Sequence, residues 1–412
     1  MRLAPEGMGE VRVEASDVLI VTRHYAPEPT GSAPVIQEIA EWLAARGDRV
    51  RVLTVRPNYP GTQVFEGYRR GERDREIENG VTVTRLATRP VRGSGLMARL
   101  GPESRFLLDL ALGSASGRFK TSGRVISLCP SILTTVGAQL LVRRGGRHTA
   151  IVHDVQSGLG GALGSPLLRA VMPILKRLEG FALSRADQVI VLSPAMETAL
   201  IALGVRTPIA VLPPSIDTTR IIPEPRPAGA PPTALYSGNL GRKQGLEQLI
   251  DLAQVLAARD PRVRVVIRGD GVMRERLIAS AKERALTNID FCPLAPKAQL
   301  SRALAQGDVH LVPQMASGGD FAVPSKVFAI MAAARPFVAT AEAGSPLACL
   351  AEASGAFICT PPQAPDDFAD AVLALMADET RRREMGELGR AYVIAEADTE
   401  VVMRALAPLL GI

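Results

Sequence analysis

The stretch with the clearest chemical potential is a glycine-rich turn with two adjacent cations. Residues 236–245 read YSGNLGRKQG and lie between a short apolar run at 233–235 and an amphipathic segment at 246–259. Glycine leaves backbone amides unshielded at a helix N-terminus, where the helix dipole favours an anion, and Arg242 and Lys243 add positive charge. The pattern predicts a phosphate site. A turn between a strand and a helix can also carry glycine only for packing and cations only for solubility, so the local pattern leaves both interpretations open.

Polar residues also follow two other predicted strands. His153 and Asp154 come after the apolar run at 149–152, and Gly269-Asp270-Gly271 comes after the run at 263–267. Open α/β sheets place their ligand sites at the carboxyl ends of parallel strands, so these residues are candidates for a binding site. The alternative for His153 and Asp154 is that they only cap and tether their loop.

Alternating strands and helices must position these residues. Apolar runs predict strands in two sets, at 18–22, 50–55, 81–86, 149–152, 188–192 and 209–212, and at 233–235, 263–267, 289–292, 309–312 and 337–340. Five prolines between 223 and 232 predict a linker between the two sets. The predicted fold class is α/β, with two Rossmann-like doubly wound domains that face each other across a cleft.

The length of 412 residues is more than one hydrophobic core usually serves, which agrees with two domains. The predicted organisation is an N-terminal tail at 1–16, an N-terminal domain at 17–222, the linker at 223–232, a C-terminal domain at 233–390 and a C-terminal helix at 391–412 that can pack back on the N-terminal domain.

Composition argues against several classes of protein. Hydrophobic residues at 47% and charged residues at 22% are ordinary for a soluble globular protein, and a net charge of +6 is a mild surplus. The surplus suits an anionic ligand or an anionic membrane surface, but no concentrated basic tail of the nucleic-acid type is present. The loop after the first strand lacks the Gly-x-Gly-x-x-Gly spacing of a dinucleotide site, which argues against a nicotinamide-dependent enzyme.

Location and metal content follow from the same kind of observation. The first 17 residues lack the apolar core of a secretory signal. The four cysteines lie far apart, without the short spacing of metal ligands, and no Asp-x-Asp pair follows a strand. We therefore expect a reduced cytoplasmic location and no metal site.

Segment 92–120 raises the question of membrane contact. It combines an apolar stripe with interspersed arginines, so it can lie on a membrane surface or pack on the domain core. One stripe does not distinguish the two, and we favour the core because such segments more often pack there. The uncharged segment 125–142 is predicted to be a buried strand, a turn at Pro130 and a buried helix, because its hydropathy is too weak for a membrane span.

A series of motifs resembles a known family in its order and spacing. The motifs are Tyr25-Ala26-Pro27-Glu28, Gly31-Ser32, Pro57-Asn58-Tyr59-Pro60, His153-Asp154, the run at 186–193, the turn at 236–245, Gly269-Asp270-Gly271, Val323-Pro324-Ser325-Lys326 and the run at 331–336. Together they resemble the retaining GT-B glycosyltransferases of family 4, and within them the subgroup that builds exopolysaccharides of the colanic acid type. The likeness covers the chain from Val18 to about Val393.

The resemblance implies a two-substrate reaction between the domains. The C-terminal domain would hold a UDP-sugar or GDP-sugar, and the N-terminal domain would hold a lipid-linked or oligosaccharide acceptor. The family needs no cofactor and no dedicated protein base, because a leaving phosphate oxygen can take the acceptor proton on the same face. Contact with the cytoplasmic face of the inner membrane is a further hypothesis, and no nucleic acid partner is expected.

The resemblance and the residue chemistry together assign roles to individual residues. The catalytic candidates are His153, Asp154 and Asp320. The candidates for diphosphate binding are Gly238, Asn239, Arg242, Lys243, Gln244, Ser325 and Lys326. The region of the nucleobase and ribose is expected at Gly269, Asp270, Gly271, Leu294 and Ala329. The acceptor or sugar loops are expected at Gly31, Ser32, Asn58, Tyr59, Phe321, Ala322 and Val323.

The sequence departs from the family pattern at four positions. Asn239 and Gln244 stand where the family usually has Arg and Lys, so we expect Arg242 and Lys243 to supply that charge. Two glutamates that many members use for the donor are replaced by Phe321 and Ala329. Asp320 is the carboxylate nearest to the first of these positions.

Lys326 is expected to neutralise a phosphate oxygen from the start of a predicted helix at 325–334. Because a cation in the first turn opposes the helix dipole, we favour this function over a solvated lysine.

The function expected from these observations is retaining transfer of a hexose-type sugar from a nucleoside diphosphate sugar, in surface polysaccharide or glycoconjugate assembly. Two alternatives stay open. A sugar-nucleotide 2-epimerase has the same architecture, but it releases a free sugar nucleotide without an acceptor. A non-catalytic protein that binds a nucleotide sugar is the other alternative, because the glutamate pair is missing.

Overall fold

Two α/β units, each built on its own sheet, make up the chain in the computed structural model. The structure describes residues 16–29, 32–59, 63–88, 96–129, 131–153, 166–242, 244–315 and 323–412. The expected fold class of two doubly wound domains is confirmed.

The first unit contains an eight-stranded sheet. Its strands are β1 (Asp17–Val21), β2 (Arg49–Val55), β3 (Arg75–Glu78), β4 (Val81–Leu86), β5 (Ser122–Cys129), β6 (Val142–Val152), β7 (Gln188–Val191) and β8 (Ile209–Val211). Its helices are α1 (Ala33–Ala45), α2 (Leu96–Ala115), α3 (Ile132–Gln139), α4 (Pro166–Leu183) and α5 (Pro194–Ala202). The strand order is β3-β4-β2-β1-β5-β6-β7-β8, and every pair is parallel except β3 with β4.

The second unit contains a six-stranded parallel sheet in the order β11-β10-β9-β12-β13-β14. Its strands are β9 (Thr233–Ser237), β10 (Arg264–Arg268), β11 (Ile289–Cys292), β12 (Val309–Val312), β13 (Phe337–Thr340) and β14 (Phe357–Thr360). The helices that follow β9 in sequence are α6 (Glu247–Arg259), α7 (Arg274–Glu283), α8 (Leu300–Leu304), α9 (Lys326–Ala332), α10 (Pro346–Ser354), α11 (Pro365–Ala377), α12 (Glu379–Glu396) and α13 (Thr399–Leu410).

Buried aliphatic runs explain why these strands form. The last four residues of β1 and all four residues of β7, β12 and β13 are buried, as expected for strands covered by helices on both faces. The helices supply the covering stripes. In α1, Ile36, Ile39, Ala40 and Leu43 lie on one helical face and are buried against the first sheet.

Helix starts differ in how their free amides are satisfied. Side chains cap α3, α5, α10, α12 and α13, from Ser131, Ser193, Ser345, Asp378 and Asp398 respectively. Helix α1 has no side-chain cap at its start. Ser32 occupies the N-cap position, but its backbone angles are helical and its side chain makes no capping hydrogen bond, because a capping residue needs a more extended backbone.

The last helix of the described chain, α13, packs on the first unit rather than the second. Met403, Leu406 and Leu410 belong to the same buried cluster as Val18 and Ile20 of β1. The backbone at the end of α13 is bonded as well, since the Thr149 hydroxyl donates to the Leu409 carbonyl at 3.2 Å. The predicted boundary at 390 falls inside α12, and residues 391–412 form the end of α12 together with α13 rather than one helix.

The two chain segments that connect the units are hydrogen-bonded to each other. The Ile216 amide donates to the Ala397 carbonyl at 2.9 Å, and the Thr399 amide donates to the Ile216 carbonyl at 3.0 Å. The Glu38 carboxylate on α1 accepts from the Ser215 hydroxyl at 2.8 Å and from the Thr399 hydroxyl at 2.9 Å. The proline-rich segment 223–232 lies against the second unit, where Arg226 pairs with Asp308 at 2.8 Å.

The sequence prediction missed several elements. The bounds of β4, β11, β12 and β13 agree with the prediction, but β3, α5, α10, α11 and β14 were not predicted. Tyr236 was placed in the glycine turn, whereas the structure includes it in β9, where it is fully buried. Its apolar ring continues the buried pattern of the strand, which explains the difference.

Substitution of one buried leucine in α13 is expected to destabilise the first unit. Leu406 is 2% exposed, so Leu406→Ala should lower the free energy of unfolding by roughly 2 to 5 kcal/mol. Urea denaturation measures the loss, and hydrogen exchange should locate it in β1 and α1. The matched control is Leu388→Ala on α12, where the side chain is 51% exposed and a change within about 0.5 kcal/mol is expected. Faster exchange confined to the second unit would contradict the packing of α13.

Candidate functional site

The candidate site lies at the point where the strand order of the second sheet reverses. β9 pairs with β10 on one side and with β12 on the other. The strands after β9 therefore extend the sheet first on the β10 side and then, from β12 onward, on the opposite side. Ligands in open α/β sheets bind outside the carboxyl ends of the strands at such a switch point. The glycine turn follows β9, and the segment that leads into α9 follows β12.

Backbone hydrogen bonds join the glycine turn after β9 to the turn after β10, which contains Gly269, Asp270 and Gly271. The Gly238 amide donates to the Arg268 carbonyl at 3.0 Å, and the Leu240 amide donates to the Asp270 carbonyl at 2.8 Å. The sequence predicted unshielded amides in this turn, but these two are not free, because the neighbouring turn uses them. Amides elsewhere in the turn and the side chains must therefore supply the binding groups.

Gly269 and Gly271 have a packing role that the sequence did not reveal. A Cβ atom at Gly269 would lie 2.0 Å from the Gly238 carbonyl oxygen, and one at Gly271 would lie 2.6 Å from the Leu240 carbonyl oxygen. Gly271 also has a φ of +148°, which side chains rarely adopt. Both glycines let the two turns approach each other. Their predicted place beside a nucleobase stays a prediction.

Lys326 is the cation that the structure brings to the glycine turn. Its Nζ atom donates to the Gln244 Oε1 atom at 3.2 Å and lies 4.2 Å from the centre of the Tyr236 ring. A Cβ atom at Gly238 would lie 3.5 Å from the Lys326 Cδ atom, so the lysine side chain runs alongside the turn. Loss of hydration lowers the pKa of Lys326 to about 7.

Tyr236 holds both the lysine and the turn. Its hydroxyl donates to the Asn239 carbonyl at 2.7 Å, and its face supports the Lys326 ammonium. Burial raises the pKa of Tyr236, so the hydroxyl stays a neutral donor. A cation beside an aromatic face gains about 0.5 to 2 kcal/mol, more when it is shielded from water. An ammonium has three N–H donors and Gln244 uses one, which leaves donors for an anion.

The other residues predicted for diphosphate binding are arranged around this pair. Asn239 and Arg242 are exposed on the glycine turn, and Ser325 is exposed beside Lys326. Ser325 stands at the N-cap of α9 without a side-chain capping bond. Lys243 lies outside the described residues, so its predicted role is untested.

The residues predicted for the nucleobase and ribose are spread along the same edge. Leu294 follows β11 and is exposed. The Asp270 carboxylate accepts from the Gly271 amide at 2.8 Å. Ala329 and Val323 pack against the buried cluster around α9, while Phe321, Ala322 and the catalytic candidate Asp320 lie outside the described residues.

His153 lies at the carboxyl end of β6, as predicted, beside an apolar cavity. The cavity is formed by the first unit together with α13, and Ile39, Leu212 and Met403 are among its lining residues. Burial lowers the pKa of His153 to about 4, so its imidazole is neutral near pH 7. It can exchange hydrogen bonds with a ligand, but it cannot supply positive charge. Asp154 lies outside the described residues.

A second cluster lies on the loops after β1 and β2, where Asn58 and Tyr59, predicted for the acceptor loops, meet His24 and Glu28, for which no site role was predicted. The buried Glu28 carboxylate accepts from the amides of Asn58 and Tyr59, both at 2.9 Å, and contacts the His24 Nδ1 atom at 2.6 Å. The His24 and Tyr59 rings meet edge to face at 5.4 Å. Glu28 belongs to a quoted motif, and its position beside one of only four histidines was the available signal. Gly31, predicted for the same loops, lies outside the described residues.

The described residues contain neither a metal-binding cluster nor a membrane-spanning helix. No group of three or more His, Cys, Asp or Glu side chains in that part of the chain could hold a metal ion. Among the same residues, no helix combines the length and the apolar character that crossing a bilayer requires.

The chain matches two sequence families that together cover most of its length. Residues 217–392 match the glycosyl transferases group 1 family, and residues 30–215 match the glycosyl transferase 4-like domain. A protein described as a colanic acid biosynthesis glycosyl transferase, WcaI of Escherichia coli (strain K12), is 30% identical over 94% of this chain and 98% of its own. A GDP-mannose-dependent alpha-(1-6)-phosphatidylinositol monomannoside mannosyltransferase of Mycobacterium tuberculosis is 23% identical over 96% of this chain and 98% of its own.

Solved structures share the fold. Sucrose-phosphate synthase from Thermosynechococcus elongatus aligns with a TM-score of 0.73 at 20% identity, over 96% of this chain and 98% of that one. Anabaena Alr3699/HepE in complex with UDP and glucose aligns with a TM-score of 0.69 at 16% identity, over 96% and 99% of the two chains. The two sheets described above are therefore arranged as in GT-B proteins.

Proposed function

The chain belongs to the group 1 glycosyltransferase family, and on that premise we propose that it moves a hexose-type sugar from a nucleoside diphosphate sugar to a glycan or lipid-linked acceptor, with retention of the anomeric configuration. The process is surface polysaccharide or glycoconjugate assembly. The observation that carries the proposal is the Lys326 ammonium beside the glycine turn, at the switch point of the second sheet. A preorganised cation there would stabilise the charge that a diphosphate leaving group develops.

The donor in this proposal is a UDP-sugar or a GDP-sugar, and no cofactor is needed. Support for the first comes from the Anabaena structure, which contains UDP and glucose. Support for the second comes from the mycobacterial relative, whose name specifies GDP-mannose. The exposed Leu294 side chain at the end of β11 offers an apolar surface for either base.

Several cations would share the diphosphate. Lys326 is held in place by Gln244 and Tyr236, so it loses little conformational freedom on binding. Arg242 is exposed on the turn and can close onto the phosphates, and Lys243 would join it from the adjacent position. A hydrogen bond to a charged group contributes roughly 1.5 to 3 kcal/mol, so each of these contacts would affect donor affinity measurably.

The reaction that we propose needs no protein base. The bond from the anomeric carbon to the leaving phosphate oxygen breaks, and a bond from that carbon to the acceptor oxygen forms on the same face. The acceptor proton passes to the leaving phosphate oxygen. Neutral His153 would hydrogen-bond the donor sugar, with Asp154 beside it, and Asp320 would serve in place of the family's first glutamate.

A transfer assay tests this function directly. Purified protein with a membrane lipid extract and UDP- or GDP-hexoses should release the nucleoside diphosphate only in the presence of one donor and an acceptor. The product linkage, examined by NMR, should keep the donor's anomeric configuration. An isomerised sugar nucleotide in reactions without acceptor would instead support the 2-epimerase alternative. Binding of a donor without any turnover across the panel would support a non-catalytic binding protein.

Replacement of Lys326 should weaken nucleotide binding in a pH-dependent way. With a pKa of about 7 in the free protein, the wild-type amine must take up a proton to bind a diphosphate at higher pH. UDP or GDP affinity should therefore fall between pH 7 and pH 9. Lys326→Met should lower the affinity roughly 10- to 100-fold at pH 7 and remove the pH dependence. Lys326→Arg should remove the pH dependence alone, because arginine stays charged.

Isothermal titration calorimetry provides these affinities. The control is Lys282→Met on α7, where the lysine is exposed and no change in affinity is expected. Affinity for the nucleotide that is equal in Lys326→Met and wild-type protein would contradict the assignment.

We also propose peripheral contact with the cytoplasmic membrane surface. The first unit has an outer face formed by α2, α3 and α4, which are linked by hydrogen bonds from Ser114 to the Leu140 carbonyl and from Gln139 to the Ala182 carbonyl. Large apolar side chains are exposed on this outer face, namely Leu108, Leu112, Leu140, Ile174, Leu178 and Phe181. Helix α2, which lies within segment 92–120, contributes to the outer face and also to the core, because its Phe106 and Leu110 are buried in the core.

Charge on the outer face favours anionic lipid as its partner. The exposed charged side chains described between 173 and 185 are Lys176, Arg177 and Arg185, all of them cationic. The Arg185 guanidinium lies 5.8 Å from the Phe181 ring, so charge and apolar surface adjoin. Basic residues beside an apolar helical stripe are typical of helices that lie on an anionic membrane surface.

Vesicle sedimentation tests this contact. Wild-type protein should sediment with vesicles of phosphatidylglycerol and phosphatidylcholine, less so at high salt, and little with phosphatidylcholine alone. Phe181→Glu combined with Ile174→Glu should abolish sedimentation. Ile394→Glu, at an exposed isoleucine on α12 of the second unit, should have no effect. Failure of the wild-type protein to sediment with anionic vesicles would contradict the proposal.

A further inference from the structure

One stretch of the first unit carries the whole charge surplus of the chain. Residues 110–153 contain six basic residues and no acidic one, and the net charge of all 412 residues is +6. The other 42 basic residues are therefore matched by the 42 acidic ones. The six residues are Arg118, Lys120, Arg124, Arg143, Arg144 and Arg147.

The fold gathers these six residues at the amino ends of β5 and β6. Strand β5 begins at Ser122, whose amide donates to the Leu141 carbonyl at 3.0 Å, just before β6 begins. We term the six residues the basic edge. Because the two strands are parallel, the basic edge is opposite to the carboxyl ends, where His153 lies. Extended strand rises about 3.3 Å per residue, so Arg147 and His153 are roughly 20 Å apart.

A bulge in β6 presents two of these arginines to solvent. Strand β5 advances two residues across 122–124, while β6 advances five across 142–147. The extra residues of β6 include Arg143 and the next arginine, both exposed. Gly145 has a φ of +75°, and a Cβ atom at Gly146 would lie 2.8 Å from the Arg143 carbonyl oxygen, so this bulge requires both glycines. Bulges of this kind redirect side chains.

The basic edge places like charges close together. Arg124 and Arg147 stand directly opposite each other on β5 and β6. The Arg124 Nε atom donates to the Gly411 carbonyl at 2.6 Å, and a Cβ atom at Gly411 would lie 3.5 Å from the Arg147 Nη1 atom. The Arg143 Nη2 atom would lie 3.0 Å from a Cβ atom at Gly123, beside Arg124. Like charges at opposing strand positions repel, and a bound anion would offset that repulsion.

The strands that flank β5 and β6 begin with acidic residues that are already engaged. Asp17 at the start of β1 pairs with Arg51 at 2.9 Å and accepts from the Ser122 hydroxyl at 3.1 Å. The Asp187 carboxylate, just before β7, accepts from the His148 amide at 2.8 Å. Within the part of the chain that the structure describes, no side chain of the basic edge forms an ion pair. Its charge is therefore available to a partner.

The composition of the basic edge favours carboxylates as that partner's groups. Residues 116–124 and 142–147 expose no large apolar side chain, whereas segments that lie on a membrane combine basic and apolar groups. Phe119 is the one aromatic residue in these two ranges and is buried, so it offers no stacking surface for nucleic acid bases. Five of the six cations are arginines, whose planar fork binds a carboxylate through two hydrogen bonds.

We propose that the basic edge docks an acidic segment of a partner protein, whose Asp and Glu carboxylates pair with the arginine guanidinium groups. This inference goes beyond the proposed function and does not depend on it. A partner bound at the amino ends leaves the carboxyl ends of the first sheet open, so the enzyme can be tethered without obstruction of its candidate site. Complementary charge of this kind speeds association and is weakened by salt.

Fluorescence anisotropy with a labelled peptide of alternating Asp and Glu residues provides the test. Wild-type protein should bind the peptide with an affinity that falls as salt is raised. Arg143→Glu combined with Arg144→Glu should lower the affinity roughly 10-fold or more, because attraction becomes repulsion at the bulge. Arg143→Gln combined with Arg144→Gln should cause a smaller loss. No binding of the peptide by wild-type protein at low salt would overturn the proposal.

A matched variant on the second unit separates the basic edge from overall charge. Arg381→Glu combined with Arg383→Glu makes the same change in net charge at exposed positions of α12. Its peptide affinity should stay within about two-fold of the wild-type value, because charges beyond a Debye length are screened. Equal losses in the two glutamate variants would show attraction by overall charge and would overturn the docking surface.

Two other polyanions test the class of partner. Sedimentation with phosphatidylglycerol vesicles should be the same in the Arg143→Glu and Arg144→Glu double variant as in the wild type, because the outer face is intact. Loss of sedimentation in that variant would overturn a protein partner in favour of a membrane. Duplex DNA that binds wild-type protein more tightly than the peptide, at equal salt, would overturn it in favour of nucleic acid. UDP and GDP affinities that match the wild type show that each variant is folded in its second unit, and hydrogen exchange in β5 and β6 shows the same for the first.

Discussion

Parallel strands bring all their carboxyl ends to one edge of a sheet, and both sheets reverse their strand order at their first strand. This constraint locates everything of chemical interest in the molecule. The reversal at β9 brings the glycine turn against the segment that carries Lys326, although 82 positions separate Gln244 from Lys326. In the first sheet, the parallel pairing of β1 with β2 brings Glu28 against the loop of Asn58 and Tyr59. Neither cluster is local in sequence, and each depends on neighbouring parallel strands whose carboxyl ends share an edge.

The two edges differ in the charge that they bury. The second sheet confines the amine of Lys326. Loss of water around its charged form lowers its pKa to about 7. The first sheet confines the carboxylate of Glu28, whose oxygens accept from the Asn58 and Tyr59 amides and contact the His24 ring. An anionic group therefore favours the edge of the second sheet.

The sequence predicted those features that depend on short-range patterns. Strands such as β12 and β13 were predicted with correct bounds because their residues are uniformly apolar, and the glycine turn was found because its composition is unusual. Features that depend on distant contacts were missed. Strand β3 is a polar edge strand that pairs only with β4, so its pattern is weak. The reason for Gly269 is a carbonyl oxygen 31 positions earlier, and Glu28 is bonded to amides 30 and 31 positions later.

Helix α13 has a consequence for the order in which the molecule can be made. Its side chains complete the core beneath β1 and α1, yet it follows all of the second unit in the chain. During synthesis on the ribosome, the first sheet must wait with an apolar face uncovered until residues 399–410 have emerged. The second unit has no such dependence, so it can finish its core earlier despite being translated later. The nascent first unit is therefore the part of the chain most in need of a chaperone.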